Sequence, residues 1–169
     1  ERVRLRLLCN MFNASLPPGL GTGEYKGCVY TECPHPNHPS LESLIARCHE
    51  LHDEDPRRAP TILFLQEGVH EVEGHYLRIT YPMKIIGAGQ EKTIIHGGFK
   101  IEGTKEEKKR VDMQGMTMKG SSRSGLYNDN GLSFLCKDMT FTQCGEDGVV
   151  ALNTKGRLIN CVITQCGES

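Results

Sequence analysis

Thr142-Gln143-Cys144-Gly145-Glu146 recurs letter for letter as Thr164-Gln165-Cys166-Gly167-Glu168, an offset of 22. One unit upstream, Gly115-Met116-Thr117-Met118 through Gly125-Leu126 aligns with Asp138-Met139-Thr140-Phe141 through Gly148-Val149 at an offset of 23. Within each unit apolar residues alternate with others: Met116 and Met118, Met139 and Phe141, Cys161 and Ile163. Period-2 alternation gives a strand one buried face, and repetition every 22 or 23 residues lays the same strand down once per coil. The object predicted is an all-β parallel β-helix. Leucine-rich repeats have the right period but need a Leu lattice and an Asn position that are missing here. Propeller blades need roughly twice the interval.

Outward from the repeat, three regions separate. Residues 1–39 are rich in breakers (Pro17-Pro18-Gly19, Gly21-Thr22-Gly23, Pro34, Pro36, Pro39) and read as a short helix and a turn-rich lead-in. From Ser40, a good N-cap, Leu41, Leu44, Ile45, Cys48 and Leu51 recur at helical spacing. They predict an amphipathic helix over 41–53 that lays a single apolar face on the rest of the fold. After Pro60 the helical period disappears. Short strands follow at Thr61–Leu65, Tyr76–Thr80, Met83–Ile86, Thr93–Ile95 and Phe99–Ile101, most of them separated by Gly-containing turns, and then a charged loop from Thr104 to Arg110. Residues 40–169 are therefore the amphipathic helix and the first coils. The last repeat stops partway through a coil, and the expectation is that the native chain continues or that the open sheet edge self-associates.

Composition narrows the function. The 169 residues carry 20 Lys and Arg against 21 Asp and Glu, a formal charge of −1, without the basic excess of a nucleic-acid binder. No apolar run is long enough to span a membrane. Nineteen Gly, no Trp and 6% aromatics suit a turn-rich solenoid with a thin aliphatic core. Eight Cys and the acceptor Asn13-Ala14-Ser15 suit a secreted protein, but this length needs no disulfide staples. The reading favours a reduced, intracellular setting, with secretion the alternative. Cys144 and Cys166 are expected to stack without a bond.

Thr61-Ile62-Leu63-Phe64-Leu65-Gln66-Glu67-Gly68-Val69-His70-Glu71, Ile79, Met83-Lys84-Ile85-Ile86-Gly87-Ala88-Gly89 and Lys92-Thr93-Ile94-Ile95 together resemble the start of a right-handed parallel β-helix of the pectin-lyase-like superfamily. That resemblance implies that the amphipathic helix is a capping helix plugging the N-terminal end of the coil, followed by a strand leading to a Gly-Val/Thr-Tyr-Glu type turn, and an Ile-Ile-Gly-x-Gly turn opening the next coil. It implies no single function, since the scaffold hosts lyases, hydrolases, esterases and binders. Arg2 through Asn13 resembles the closing helix of an F-box, with Leu8 and Asn10 departing from the pattern. Some F-box proteins carry a β-helix as their substrate-recognition part, so this second resemblance implies a ubiquitin-ligase adaptor as a partner through a fuller N-terminal region, the piece here being too short to bind it alone.

No catalytic, cofactor-binding or metal residue is assigned. Gly87-Ala88-Gly89 lacks the third glycine and the following helix of a dinucleotide fingerprint. Cys28, Cys33, His35, His38, Cys48, His49 and His52 are the residue types zinc takes, but their spacing is not that of a compact knuckle. Asp129 stands alone, and Glu146 with Glu168 reads as a solvated stacked pair beside Asp147. Polygalacturonase-like enzymes would show Asn-Thr-Asp where this chain has Asn153-Thr154-Lys155. Pectin methylesterase-like enzymes would show a Gln within Gly148–Leu152. The expectation is a non-catalytic scaffold for a protein or peptide, presenting the outward residues Thr117, Thr140 and Val162. A carbohydrate-active enzyme or carbohydrate binder is the alternative, to be told apart by aromatic platforms beside clustered carboxylates.

Overall fold

The computed structural model describes residues 23–25, 28–106 and 108–167. Residues 2–13, which carry the F-box resemblance, Asn13 and Glu168 lie outside them. Helix α1 runs Leu41–Glu54, one residue beyond the predicted span. Ser40 caps it, its Oγ accepting the Ser43 N–H at 3.1 Å, with Glu42 in the first turn complementing the helix dipole. The apolar stripe lies where its spacing places it: Leu41, Leu44, Ile45, Cys48 and Leu51 are all buried and join the main core.

The remainder is a β-solenoid of about four turns. A first stack of strands comprises β1 (Gly23–Tyr25), β2 (Cys28–Cys33), β3 (Ile62–Leu65), β6 (Lys84–Ile86), the first halves of β9 (Arg110–Lys119) and β11 (Ser133–Thr142), and β13 (Gly156–Ile159). Only β1 is antiparallel to its neighbour. The second stack is β4 (Gly68–Glu71), β7 (Thr93–His96), the second halves of β9 and β11, and β14 (Val162–Thr164). The third is β5 (Leu77–Ile79), β8 (Phe99–Ile101), β10 (Leu126–Asp129) and β12 (Val149–Leu152). The extended chain before Pro39 contributes β2 to the first stack, parallel to β3. Gly68–Glu71, expected as a turn, is strand β4; His70 faces inward there, in line with Ile95 on β7.

Corners repeat as the strands do. Gly115, Asp138 and Asn160 occupy one corner in successive coils with φ of 69°, 51° and 51°; Gly120, Gln143 and Gln165 occupy another with 67°, 54° and 53°. A left-handed residue turns the chain without breaking the parallel ladder on either side, and Gly and Asn tolerate it best. Asn160 also donates from Nδ2 to Asp138 Oδ1 at 2.5 Å, tying two coils at a corner. The charged loop after β8 lengthens one coil: Lys84 pairs with Asp112, whereas Ile62 pairs with Lys84 and Asp112 with Leu135.

Inward residues stack into ladders. Leu63, Ile85, Met113 and Cys136 form one, and Ile95, Met118 and Phe141 another, all 0–1% exposed. Each such side chain contributes roughly 1.5–3 kcal/mol by leaving water. The ladders reach the last described coil in register, but Leu158 and Ile163 are 41% and 48% exposed there. The expected burial of Ile163 therefore fails, and Cys161 is only half-buried. A ladder residue is sealed by coils on both sides, and among the described residues none stacks on the far side of β13 or β14.

Candidate functional site

Strand alternation sets two outward rows on the second stack. Val69, Ile94, Thr117, Thr140 and Val162 are in register across five strands, as are Glu71, His96, Lys119, Thr142 and Thr164. Thr117, Thr140 and Val162, the sequence-expected face, thus lie side by side. Val69 and Val162, at the two ends, are 54% and 51% exposed, while Ile94, Thr117 and Thr140 between them are half-buried. Thr117 Oγ1 donates to the Gln90 carbonyl at 2.6 Å, and His96 Nδ1 lies 3.1 Å from Glu71 Oε1. The face combines β-branched apolar surface with hydroxyls, one imidazole–carboxylate pair and one ammonium. It can grip by shape and hydrogen bonding, but it holds no nucleophile activated by a base.

The third stack presents a different surface, with Arg78, Lys100, Tyr127 and Val150 in one outward row. Glu102 lies between the cations: Arg78 Nε donates to it at 2.8 Å, and Lys100 Nζ is 2.9 Å away. Partial burial pushes the Glu102 carboxyl up, but hydrogen bonds from Arg78 and Lys100, with their charges, outweigh it and hold the group below the usual carboxylate range. Tyr76 and Tyr127 form a tilted ring pair with centroids 5.7 Å apart, and Lys100 Nζ is 6.0 Å from the Tyr127 ring. Nothing in the repeat identified this strip, because its members come from four separate segments that only coiling brings together.

The seven Cys and His residues weighed for zinc disperse. Cys33 Sγ lies 3.6 Å from His70 Nδ1, and His70 Nε2 lies 2.9 Å from the Gln66 carbonyl. Nε2 therefore carries the proton that bonds the carbonyl, and Nδ1 accepts from the thiol. Thiol, imidazole and orienting carbonyl are the parts of a nucleophilic dyad, but Cys33 is fully buried and burial raises its thiol to about 12. Both members of the pair are buried, Cys33 fully and His70 nearly so, which closes the thiol to a substrate from solvent. His35 pairs with His38 through two backbone bonds and accepts the Asn37 N–H on Nδ1 at 3.2 Å. Cys48 packs in the core, its thiol also raised to about 12 by burial, while His52 stacks on Tyr81 at 4.2 Å and His49 meets the same ring edge-on. Cys28 is exposed. Among the described residues no group of three or more His, Cys, Asp or Glu is placed to hold a metal ion.

The other candidates resolve into structural parts. The backbone N–H groups of Gly87 and Gly89 donate to Gln114 and Gly115, and that of Ala88 to Thr93 Oγ1, so the turn offers no donors to a phosphate. Asp129 is exposed and accepts a long 3.5 Å bond from Asn153 Nδ2. Lys105 bridges that corner through Asn130 and Asn153. Thr154 Oγ1 donates to the Gly131 carbonyl at 3.1 Å, which gives Asn153-Thr154-Lys155 a role in the corner. Glu146 is exposed, 3.9 Å from Arg123. No helix among the described residues is long and apolar enough to cross a membrane. No family model, no curated protein and no solved structure matches the chain.

Proposed function

We propose that this chain is a non-catalytic solenoid scaffold that binds a protein or peptide partner across the outer face of its second stack. The in-register row Val69, Ile94, Thr117, Thr140 and Val162, apolar and exposed at both ends, carries the reading. A solenoid grows such a surface by repetition, one side chain per coil, and this favours extended partners. In this reading the coil is right-handed and pectin-lyase-like, α1 plugs its N-terminal end, and the protein is intracellular. The module is the substrate-recognition part of an F-box ubiquitin-ligase component. The residues 2–13 and their position before the solenoid support that assignment. The exposed Leu152, Leu158, Val162 and Ile163 support self-association through the last coil.

The test is affinity purification with quantitative mass spectrometry on the full chain and on a Thr117→Arg, Thr140→Arg variant. Both substitutions lie in the outward row, Thr117→Arg giving up its hydroxyl bond to the Gln90 carbonyl, and circular dichroism checks that the fold is retained. Partners are expected with both forms, while a distinct set is lost from the variant. Identical partner sets would sink the face assignment, and absence of the adaptor when the bait carries a fuller N-terminal region would sink the ligase assignment. The tilted Tyr76–Tyr127 pair favours a second reading, a carbohydrate binder using the third stack. Binding on a glycan array that Tyr127→Ala abolishes would select it.

A further inference from the structure

Cys144 and Cys166 carry an inference that needs no knowledge of the partner. The register Phe141–Ile163 and Thr142–Thr164 continues through them, because the Gly167 N–H donates to the Cys144 carbonyl at 3.1 Å. Both sulfurs point into the coil over equivalent glycines: a Cβ on Gly125 would lie 3.1 Å from Cys144 Sγ, and one on Gly148 3.5 Å from Cys166 Sγ. Both thiols are free, and they hold equivalent positions: Cys144 Sγ donates to the Thr142 carbonyl at 3.7 Å and Cys166 Sγ to the Thr164 carbonyl at 3.3 Å. Stacked parallel residues sit about 4.8 Å apart, inside the span of about 4.4–6.8 Å that a disulfide bridges. Cys136 and Cys161, the neighbouring pair, are out of step, since Cys136 is in register with Leu158 and Cys161 with Met139.

We propose that Cys144 and Cys166 are a redox modification site, closing to a disulfide that staples the last described coil to the one before it. The co-reactant is a low-molecular-weight disulfide. Cys166, the more exposed thiol, attacks as thiolate and takes one half of the reagent in a mixed disulfide, releasing the other half as thiolate. Cys144 sulfur then attacks Cys166 sulfur and expels the second half, which takes up the Cys144 proton. Two protein thiols and one reagent disulfide become one protein disulfide and two small thiols. The buried side of the pair is the slower partner, its thiol raised to about 12 first by burial and then by Cys166. Attack through Cys166 leaves that obstacle to the second step alone, where deprotonation of Cys144 beside the mixed disulfide sets the rate.

The experiment treats the full reduced chain with oxidised glutathione and maps disulfides by non-reducing peptide mass spectrometry. A Cys144–Cys166 bridge is expected as the dominant product, unchanged in Cys161→Ala, absent in Cys166→Ser, and lost to mixed pairings in denaturant. On oxidation, amide exchange across Val162–Thr164 should slow severalfold. A dominant mixed disulfide, a Cys136–Cys161 bridge, unreacted thiols, or equal selectivity in denaturant would each overturn the proposal. Because Cys161→Ala retains both reacting thiols, the assignment stays testable even where Cys166→Ser fails to fold.

Discussion

Gly87 shows how closely successive coils approach. A Cβ there would lie 2.3 Å from the Gly115 carbonyl oxygen and 3.0 Å from the Cβ atoms of Met116 and Thr93. Backbone and β-carbons cannot swing aside, so Gly87→Ala is expected to cost about 1–3 kcal/mol in urea unfolding. Gly120 is the contrast: φ is 67° and its surroundings are open, and Gln143 and Gln165 hold the same corner in later coils. Gly120→Asn should cost no more than about 1 kcal/mol in the same assay. Buried Asn128 donates from Nδ2 to the Leu132 carbonyl at 2.7 Å and accepts the Gly131 N–H at 3.0 Å. Asn128→Ala strands the Gly131 N–H and leaves the Leu132 carbonyl only a long 3.4 Å bond from Thr154 Oγ1, and should cost about 1–3 kcal/mol. The sequence marks Gly87 as a turn. It is silent on the steric reason, because the Gly115 carbonyl comes from the next coil.

Among elements, β11 and β14 are the sharpest comparison, since Phe141 and Ile163 occupy the same inward ladder with coils on both sides of one and on one side of the other. Phe141→Ala should lose about 3–5 kcal/mol and Ile163→Ala no more than about 1, by chemical denaturation. Both residues looked equally inward in the sequence, because alternation reports direction and not coverage. Helix α1 was legible to within one residue, since its cap and stripe are local. What its polar face does was not. His49 Nε2 is buried without a partner, and burial lowers the imidazole below its ordinary 6.5, ahead of the charges of Asp53, His52, Arg78 and Glu102. A lowered folded-state value means that the unfolded chain takes the proton first as pH falls. Stability should thus be full above about pH 6.5 and decline on acidification below it. His35, lowered by burial and then by His38, acts in the same direction. His49→Gln should flatten the slope of urea midpoint against pH between about 7 and 5.

For the molecule as a whole, a solenoid's stability runs along its axis, each coil held by its neighbours. Hydrogen exchange should be slowest in β6, β9 and β11, whose inward residues are sealed, and fastest in β13 and β14. Equal protection from β3 through β14 would mean that the exposed last coil is covered in solution. The letter-for-letter repeat, the alternation and the helix stripe were enough to determine a parallel β-solenoid with one amphipathic helix. Those signals live in spacing along the chain, and spacing sets which way side chains point and how often the chain returns. Tertiary structure alone decided which returning residues meet. It separated the zinc-like cluster, joined Cys33 to His70, and gathered Arg78, Lys100, Glu102, Tyr76 and Tyr127 onto one strip. The physical reason is that contact between coils depends on exact coil length, and loops such as Thr104–Lys109 shift that length without disturbing the alternation on either side.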